Sequence, residues 1–80
     1  MEEYIMENIQ RKYHLIGIGG ISMSAIAQML KDEGNIVTGS DKSESKQVKI
    51  LRDKEIDVTI GHDISKVRDA DIVIYTAAIP

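Results

Sequence analysis

The residues best suited to do chemistry lie in the run His14-Leu15-Ile16-Gly17-Ile18-Gly19-Gly20-Ile21-Ser22-Met23-Ser24-Ala25, where an apolar strand pattern breaks into glycines and then into a helical pattern. Glycines between a strand and a helix N-terminus let backbone N–H groups and the helix dipole converge on an anion, usually a phosphate or diphosphate. The Gly-x-Gly-x-x-Gly spacing is incomplete, with Ser22 at the third glycine position, and by itself is weak. Context gives it weight: a strand pattern before it, a helix pattern after it, and Asp41 at the end of the next strand pattern. The competing reading is a tight connection that uses glycine only for unusual backbone angles. Ser22 adds a side chain where dinucleotide folds want close helix packing, but it also adds a hydroxyl donor near the anion.

Asp41 stands where nicotinamide-binding folds place a carboxylate on ribose hydroxyls, or else is an ordinary turn residue after a strand. A carboxylate there accepts hydrogen bonds from a sugar diol or a base N–H and repels an additional phosphate, which favours a plain nucleoside unit. His62, after Gly61, either touches a ligand base or is solvated, and His14 reads as a structural partner for a backbone group. Two histidines without a suitably spaced carboxylate make no metal site. Thr76-Ala77-Ala78-Ile79 is small and uncharged, suited to a ligand lying against the backbone or simply to a strand end before Pro80. The chain has no Gly-Lys-Ser or Gly-Lys-Thr loop, no Gly-x-Ser-x-Gly elbow and no evident acid/base pair, so no catalytic residue is expected in it.

These residues need elements to position them. A strand is expected over Tyr13 to Ile18, nearly all apolar after His14, as befits a central parallel strand buried on both faces. Ile21, Ala25, Ile26, Met29 and Leu30 recur at helical spacing, with Gly34 as a C-terminal stop. A second strand spans Ile36 to Gly39 and ends at Ser40-Asp41; a helix capped by Ser43 or Ser45 follows to about Lys54. Asp57 to Ile60 is a third strand, Ile64 and Val67 mark a brief helix, and Ile72 to Thr76 is a fourth strand rich in branched residues. Such alternation predicts an α/β, Rossmann-like three-layer domain: a parallel sheet of about four strands in the order 3-2-1-4, joined by right-handed crossovers. Ligands then bind at the carboxyl ends, which places Gly17 to Ser22, Ser40-Asp41, Gly61-His62 and Thr76 to Ile79 along one rim.

Length and charge bound the rest. Eighty residues make one small domain, with residues 1–12 a leader of uncertain structure and 13–80 the binding domain. Ten Lys plus Arg against 13 Asp plus Glu give a net charge of −3, a poor footprint for nucleic acid or an anionic membrane, so a phosphate would be held by local dipoles. The absence of cysteine rules out disulfides, thiolate metal sites and a cysteine nucleophile. No apolar run approaches the ~20 residues that span a bilayer, and the acidic start is unlike a secretory signal, so a cytoplasmic location is expected.

At Gly17-Ile18-Gly19-Gly20-Ile21-Ser22-Met23-Ser24 the chain resembles the N-terminal domain of the Mur ligase family, specifically its UDP-N-acetylmuramate:L-alanine ligases of bacterial peptidoglycan synthesis, whose turn typically reads Gly-Ile-Gly-Gly-Ile-Gly-Met-Ser. The resemblance continues through Val37-Thr38-Gly39-Ser40-Asp41, Gly61-His62 and Tyr75-Thr76-Ala77-Ala78-Ile79, and covers about residues 12 to 80. It implies a domain that holds the UDP part of UDP-N-acetylmuramate, with Gly17 in the UDP site, Gly19, Gly20, Ile21 and Ser22 at the diphosphate, Ser40 and Asp41 near the uridine, and His62, Thr76, Ala77 and Ala78 bordering it. It also implies that ATP and magnesium, and the amino acid, bind to a central and a C-terminal domain absent from these 80 residues. The chain therefore reads as a fragment of a larger ligase, inactive alone and without a cofactor of its own. An exposed edge on the fourth strand makes weak self-association an expectation. The alternatives are an NAD-binding domain of a dehydrogenase or regulatory sensor, and a binding module with no enzyme parent; Asp41 suits all three, while the doubled Gly19-Gly20 and missing third glycine favour the first.

Overall fold

The computed structural model describes residues 9–76. In chain order the elements are β1 (Lys12–Ile16), α1 (Ile21–Asp32), β2 (Ile36–Asp41), α2 (Lys46–Asp53), β3 (Asp57–Ile60), α3 (Ile64–Asp69) and β4 (Ile72–Ile74). All strand pairs are parallel and the sheet order is β3-β2-β1-β4, as the alternation predicts. Two strand ends differ from the sequence expectation. β1 stops at Ile16 because the N–H groups of Gly17 and Ile18 both donate to the Ser40 carbonyl, at 2.8 and 3.0 Å, and Gly17 at φ +77° turns the chain out of the sheet. β4 is shorter than expected because only Ile72, Val73 and Ile74 find partners on β1. Residues 77–80, which include Ala77 and Ala78, lie outside the described residues, as does 1–8 of the leader. The last leader residues attach to the fold: the Arg11 N–H donates to Asn35 Oδ1 at 3.1 Å, and the Ile36 N–H to the Arg11 carbonyl at 2.9 Å.

The order β3-β2-β1 runs one way and β4 the other, so right-handed crossovers put α1 and α2 on one face and α3 on the opposite face. Strand alternation sorts the side chains accordingly. Toward α1 and α2 point Leu15, Val37 and Val58, which join Ile18, Ala27, Leu30, Val48, Leu51 and Ile56 in one buried apolar cluster. Gly39 belongs to this face and leaves the room that Ile18 fills: a Cβ there would lie 2.7 Å from the Ile18 Cβ. The tip of the glycine turn is thus plugged into the core by Ile18.

Toward α3 point His14, Thr38, Ser40, Asp57 and Thr59, a polar set. His14 is fully buried, and its Nδ1 lies 2.7 Å from the Thr38 hydroxyl, so its structural partner is a neighbouring side chain rather than the expected backbone group. Its Nε2 is buried without a hydrogen-bond partner among the described residues. α3 is tied down by Lys66, whose Nζ donates to Asp57 Oδ2 at 2.6 Å and to the Thr59 hydroxyl at 3.1 Å. Its N-cap is Asp63, which accepts from the Ser65 and Lys66 amides, and none of its residues is buried. Ser45, not Ser43, caps α2 by accepting the Val48 N–H at 3.2 Å.

Candidate functional site

The glycine turn carries out two jobs with different donors. Gly17 and Ile18 donate to Ser40, the Gly20 N–H donates to the Gly17 carbonyl at 3.1 Å, and the Gly19 N–H donates to Asp41 Oδ2 at 2.8 Å. Every amide of the turn itself is therefore satisfied within the protein. The first amides of α1, those of Ile21, Ser22 and Met23, have no acceptor among the described residues, and Gly20 at the N-cap supplies no side chain to take them. They stand at the head of a 12-residue helix, whose dipole adds partial positive charge there. Ser22 is exposed at this head.

Asp41 clasps the turn to the sheet. Its Oδ2 takes the Gly19 N–H and its Oδ1 takes the Lys42 N–H, each at 2.8 Å. The approach is close enough that a Cβ on residue 19 would sit 2.8 Å from Oδ2 and 3.1 Å from Val48 Cγ2. A side chain at position 19 would displace the Asp41 carboxylate and crowd Val48 of α2. Each Asp41 oxygen keeps a second lone pair, so the carboxylate can still accept from a ligand hydroxyl.

At the carboxyl ends of β1, β2 and β3 lies a cavity of about 230 Å³ lined by Ile16, Gly17, Ser40, Asp41, Lys42, Gly61 and His62. Ile16 and Ser40 point to the α3 face and Asp41 to the opposite one, so the cavity straddles the sheet edge. Gly61, at φ +105°, donates its N–H to the Asp41 carbonyl at 2.8 Å and so holds His62 beside the cavity. The volume is below the roughly 300–1,000 Å³ of complete small-molecule sites and suits one moiety of a larger ligand. The fold brings together Gly17, Ser40, Asp41 and His62 around one space; Gly19, Gly20, Ile21 and Ser22 form the adjoining turn and helix head, and Thr76 follows the end of β4 outside the cavity wall. Sequence reading passed over Lys42 and Ile16. Lys42 was legible only as part of a polar stretch, yet its position directly after Asp41, at a strand's carboxyl end, was the available signal.

The described residues contain no cluster of three or more His, Asp or Glu suited to a metal ion, and no helix among them is long and apolar enough to cross a membrane.

Comparison with known proteins bears on what such an edge holds. The model of the Mur ligase family, catalytic domain, matches residues 12–80. A UDP-N-acetylmuramate–L-alanine ligase of Caldicellulosiruptor saccharolyticus is 59% identical over 69 residues, 86% of this chain and 15% of that protein. One from Clostridium novyi is 48% identical over 75 residues, 94% of this chain and 16% of that protein. Among solved structures, the UDP-N-acetylmuramate–alanine ligase of Thermotoga maritima matches with a TM-score of 0.80 at 38% identity, over 89% of this chain and 16% of that one. A murein peptide ligase from Psychrobacter arcticus matches with a TM-score of 0.74 at 25% identity, over 81% of this chain and 14% of that one. The chain thus spans about a sixth of the length of these relatives.

Proposed function

The chain belongs to the Mur ligase family, and from that premise we propose that it is the substrate-holding N-terminal domain of a UDP-N-acetylmuramate–L-alanine ligase, binding the UDP part of UDP-N-acetylmuramate. The observation that carries the reading is the set of Ile21, Ser22 and Met23 amides at the head of α1, unpaired among the described residues and beginning four residues after Gly17, which lines the cavity. A diphosphate offers several anionic oxygens to such a donor set, and the Ser22 hydroxyl adds one more donor. Gly17, Gly19 and Gly20 shape the turn. Ser40, Asp41 and His62 border the nucleoside in the cavity.

In the whole ligase, L-alanine is joined to the lactyl carboxylate of the bound substrate through an acyl phosphate, with ATP and magnesium supplying the activation. The residues of this chain do not fit that group: the sequence has no Gly-Lys-Thr or Gly-Lys-Ser loop, and the described residues offer no carboxylate cluster for the metal. Its own part in the reaction is to fix one end of the substrate, so that entropy lost on binding here is not lost again at the reacting carboxylate. The test is a comparison of UDP, UDP-N-acetylmuramate and NAD at equal concentration against the amide NMR spectrum. The uridine ligands are expected to shift Ile21, Ser22 and Met23 more than NAD does; the reverse ranking overturns the assignment in favour of a dinucleotide domain.

A further inference from the structure

His14 is the one fully buried titratable side chain among the described residues, and its ring is only half satisfied: Nδ1 lies 2.7 Å from the Thr38 hydroxyl, whereas Nε2 has no hydrogen-bond partner among them. A neutral imidazole tolerates this. In the protonated ring both nitrogens donate, and a cation would be enclosed with one donor unspent. The charged groups that face it are the Lys66 ammonium and Asp63 carboxylate from α3 and the Asp57 carboxylate from β3; β2 contributes the uncharged Thr38 and Ser40, and β4 the apolar Val73. Both carboxylates are engaged already, Asp57 by Lys66 and Asp63 by the Ser65 and Lys66 amides of its own helix. The cover over the ring is thin, because α3 has six residues and buries none. Residues 62–70 are pinned at either side, where the Gly61 N–H donates to the Asp41 carbonyl and the Asp71 N–H to the Lys12 carbonyl, each at 2.8 Å. Between those pins the segment is tied to the sheet by polar contacts, Lys66 on Asp57 and Thr59 and Asp69 on Lys12. Lifting it exposes little apolar surface, whereas water reaching His14 from the other side would have to open the apolar layer.

We propose that residues 62–70 form a flap over His14 that opens when His14 takes a proton, and that the opening carries His62 away from the cavity at the carboxyl edge. Gly61, at φ +105°, is the hinge on the cavity side, and His62, which lines the cavity, is the first residue beyond it. Opening lets water reach Nε2 and separates the ring from Lys66, so the charged form is relieved in two ways. Burial, and after it the Lys66 ammonium, hold the His14 pKa below its ordinary value in the closed state; once solvated, the ring returns toward about 6.5. The open state therefore binds the proton more tightly, and opening is promoted as pH falls below about 6.5 and suppressed above it. Asp63 is not the trigger, because its hydrogen bonds, that from the Ser65 hydroxyl foremost, hold its carboxyl below the usual carboxylate value. Whatever ligand the cavity takes, it loses one of its walls in mild acid.

The experiment follows the full ¹⁵N-labelled chain by relaxation dispersion and by hydrogen exchange, corrected for intrinsic rates, between about pH 7 and pH 5. The amides of residues 62–70 are expected to share one opening whose population grows by up to about twentyfold over that range. Urea below the unfolding transition should leave this opening unchanged, because little surface is exposed, while it accelerates exchange in α1 and α2. His14→Gln should remove the pH response of the segment. Should that variant not fold, the wild type still decides through the urea comparison and the His62 amide. If the segment opens no more at the acid end than at neutrality, or opens only together with α1 and α2 and with their urea dependence, there is no flap. If α3 opens with pH while the His62 amide takes no part, the coupling to the cavity fails. An unchanged pH response in a folded His14→Gln overturns His14 as the trigger.

Discussion

The face of the sheet under α1 and α2 buries Leu15, Val37 and Val58 against Ile18, Ala27, Leu30, Val48, Leu51 and Ile56, whereas the face under α3 buries His14 and Ser40 and receives no buried side chain from its helix. The first face is a buried, mainly apolar layer, in which each fully buried aliphatic side chain stabilises the fold by about 1.5–3 kcal/mol. The second is held by directional contacts: the His14–Thr38 hydrogen bond, Lys66 on Asp57 and Thr59, and the Asp63 cap. Apolar burial and directional polar contacts are therefore separated across a single sheet. The site lies where the two meet, its turn plugged by Ile18 into the apolar side and its cavity opening past Ile16 and Ser40 on the polar side.

The sharpest way to break this contrast is on the apolar face. Leu51→Ala, at a fully buried position, should cost about 2–5 kcal/mol in urea unfolding, enough to populate unfolded chain in a domain this small. A loss below about 1 kcal/mol would mean that this layer is not the main source of stability.

The polar face should reveal itself through pH. Burial lowers the His14 pKa, the Lys66 ammonium acts in the same sense, and Asp63 and Asp57 oppose them. The unfolded chain then binds the proton more readily than the folded one. The contribution of neutral His14 is complete above the ordinary histidine value of about 6.5 and is lost progressively as pH falls through it toward the lower folded value. Wild type is expected to lose stability between about pH 7 and 5, and His14→Gln to flatten that part of the profile. An identical slope in the variant would locate the sensitivity in another group.

The smallest effect is expected at the amino end of β1. Lys12 Nζ lies 3.3 Å from Asp69 Oδ2, with both side chains well exposed, and Lys12→Ala should change stability by about 0–1 kcal/mol, less at high salt. A larger, salt-independent loss would show that α3 is anchored more firmly at this end than its exposed residues indicate.

Much of the architecture was legible along the chain because it is written in local periodicity. The helical spacing of Ile21, Ala25, Ile26, Met29 and Leu30, the branched runs of the strands and a serine cap for α2 all report on neighbours within a few residues, although the choice of Ser45 over Ser43 came from the structure. The end of β1 was not legible, because Gly17 and Ile18 leave the sheet to bond a carbonyl on another strand. Within the site, Gly17, Ser40, Asp41 and His62 were legible as strand-end residues and line one cavity. The division of labour among the turn amides was hidden, since it depends on where the Asp41 carboxylate lands 22 residues away.

The sequence by itself determined the order of elements, the parallel sheet and the rim on which ligand chemistry is placed, because hydrophobic period and glycine position are local properties that crossover handedness converts into topology. Only the tertiary structure decided which groups on that rim remain available. The Asp41 carboxylate takes the Gly19 amide and the Ser40 carbonyl takes those of Gly17 and Ile18, leaving the first amides of α1 unpaired among the described residues. The reason is physical: a hydrogen-bond donor is free or spent according to what the fold brings within about 3 Å of it, and no spacing along a chain states that distance.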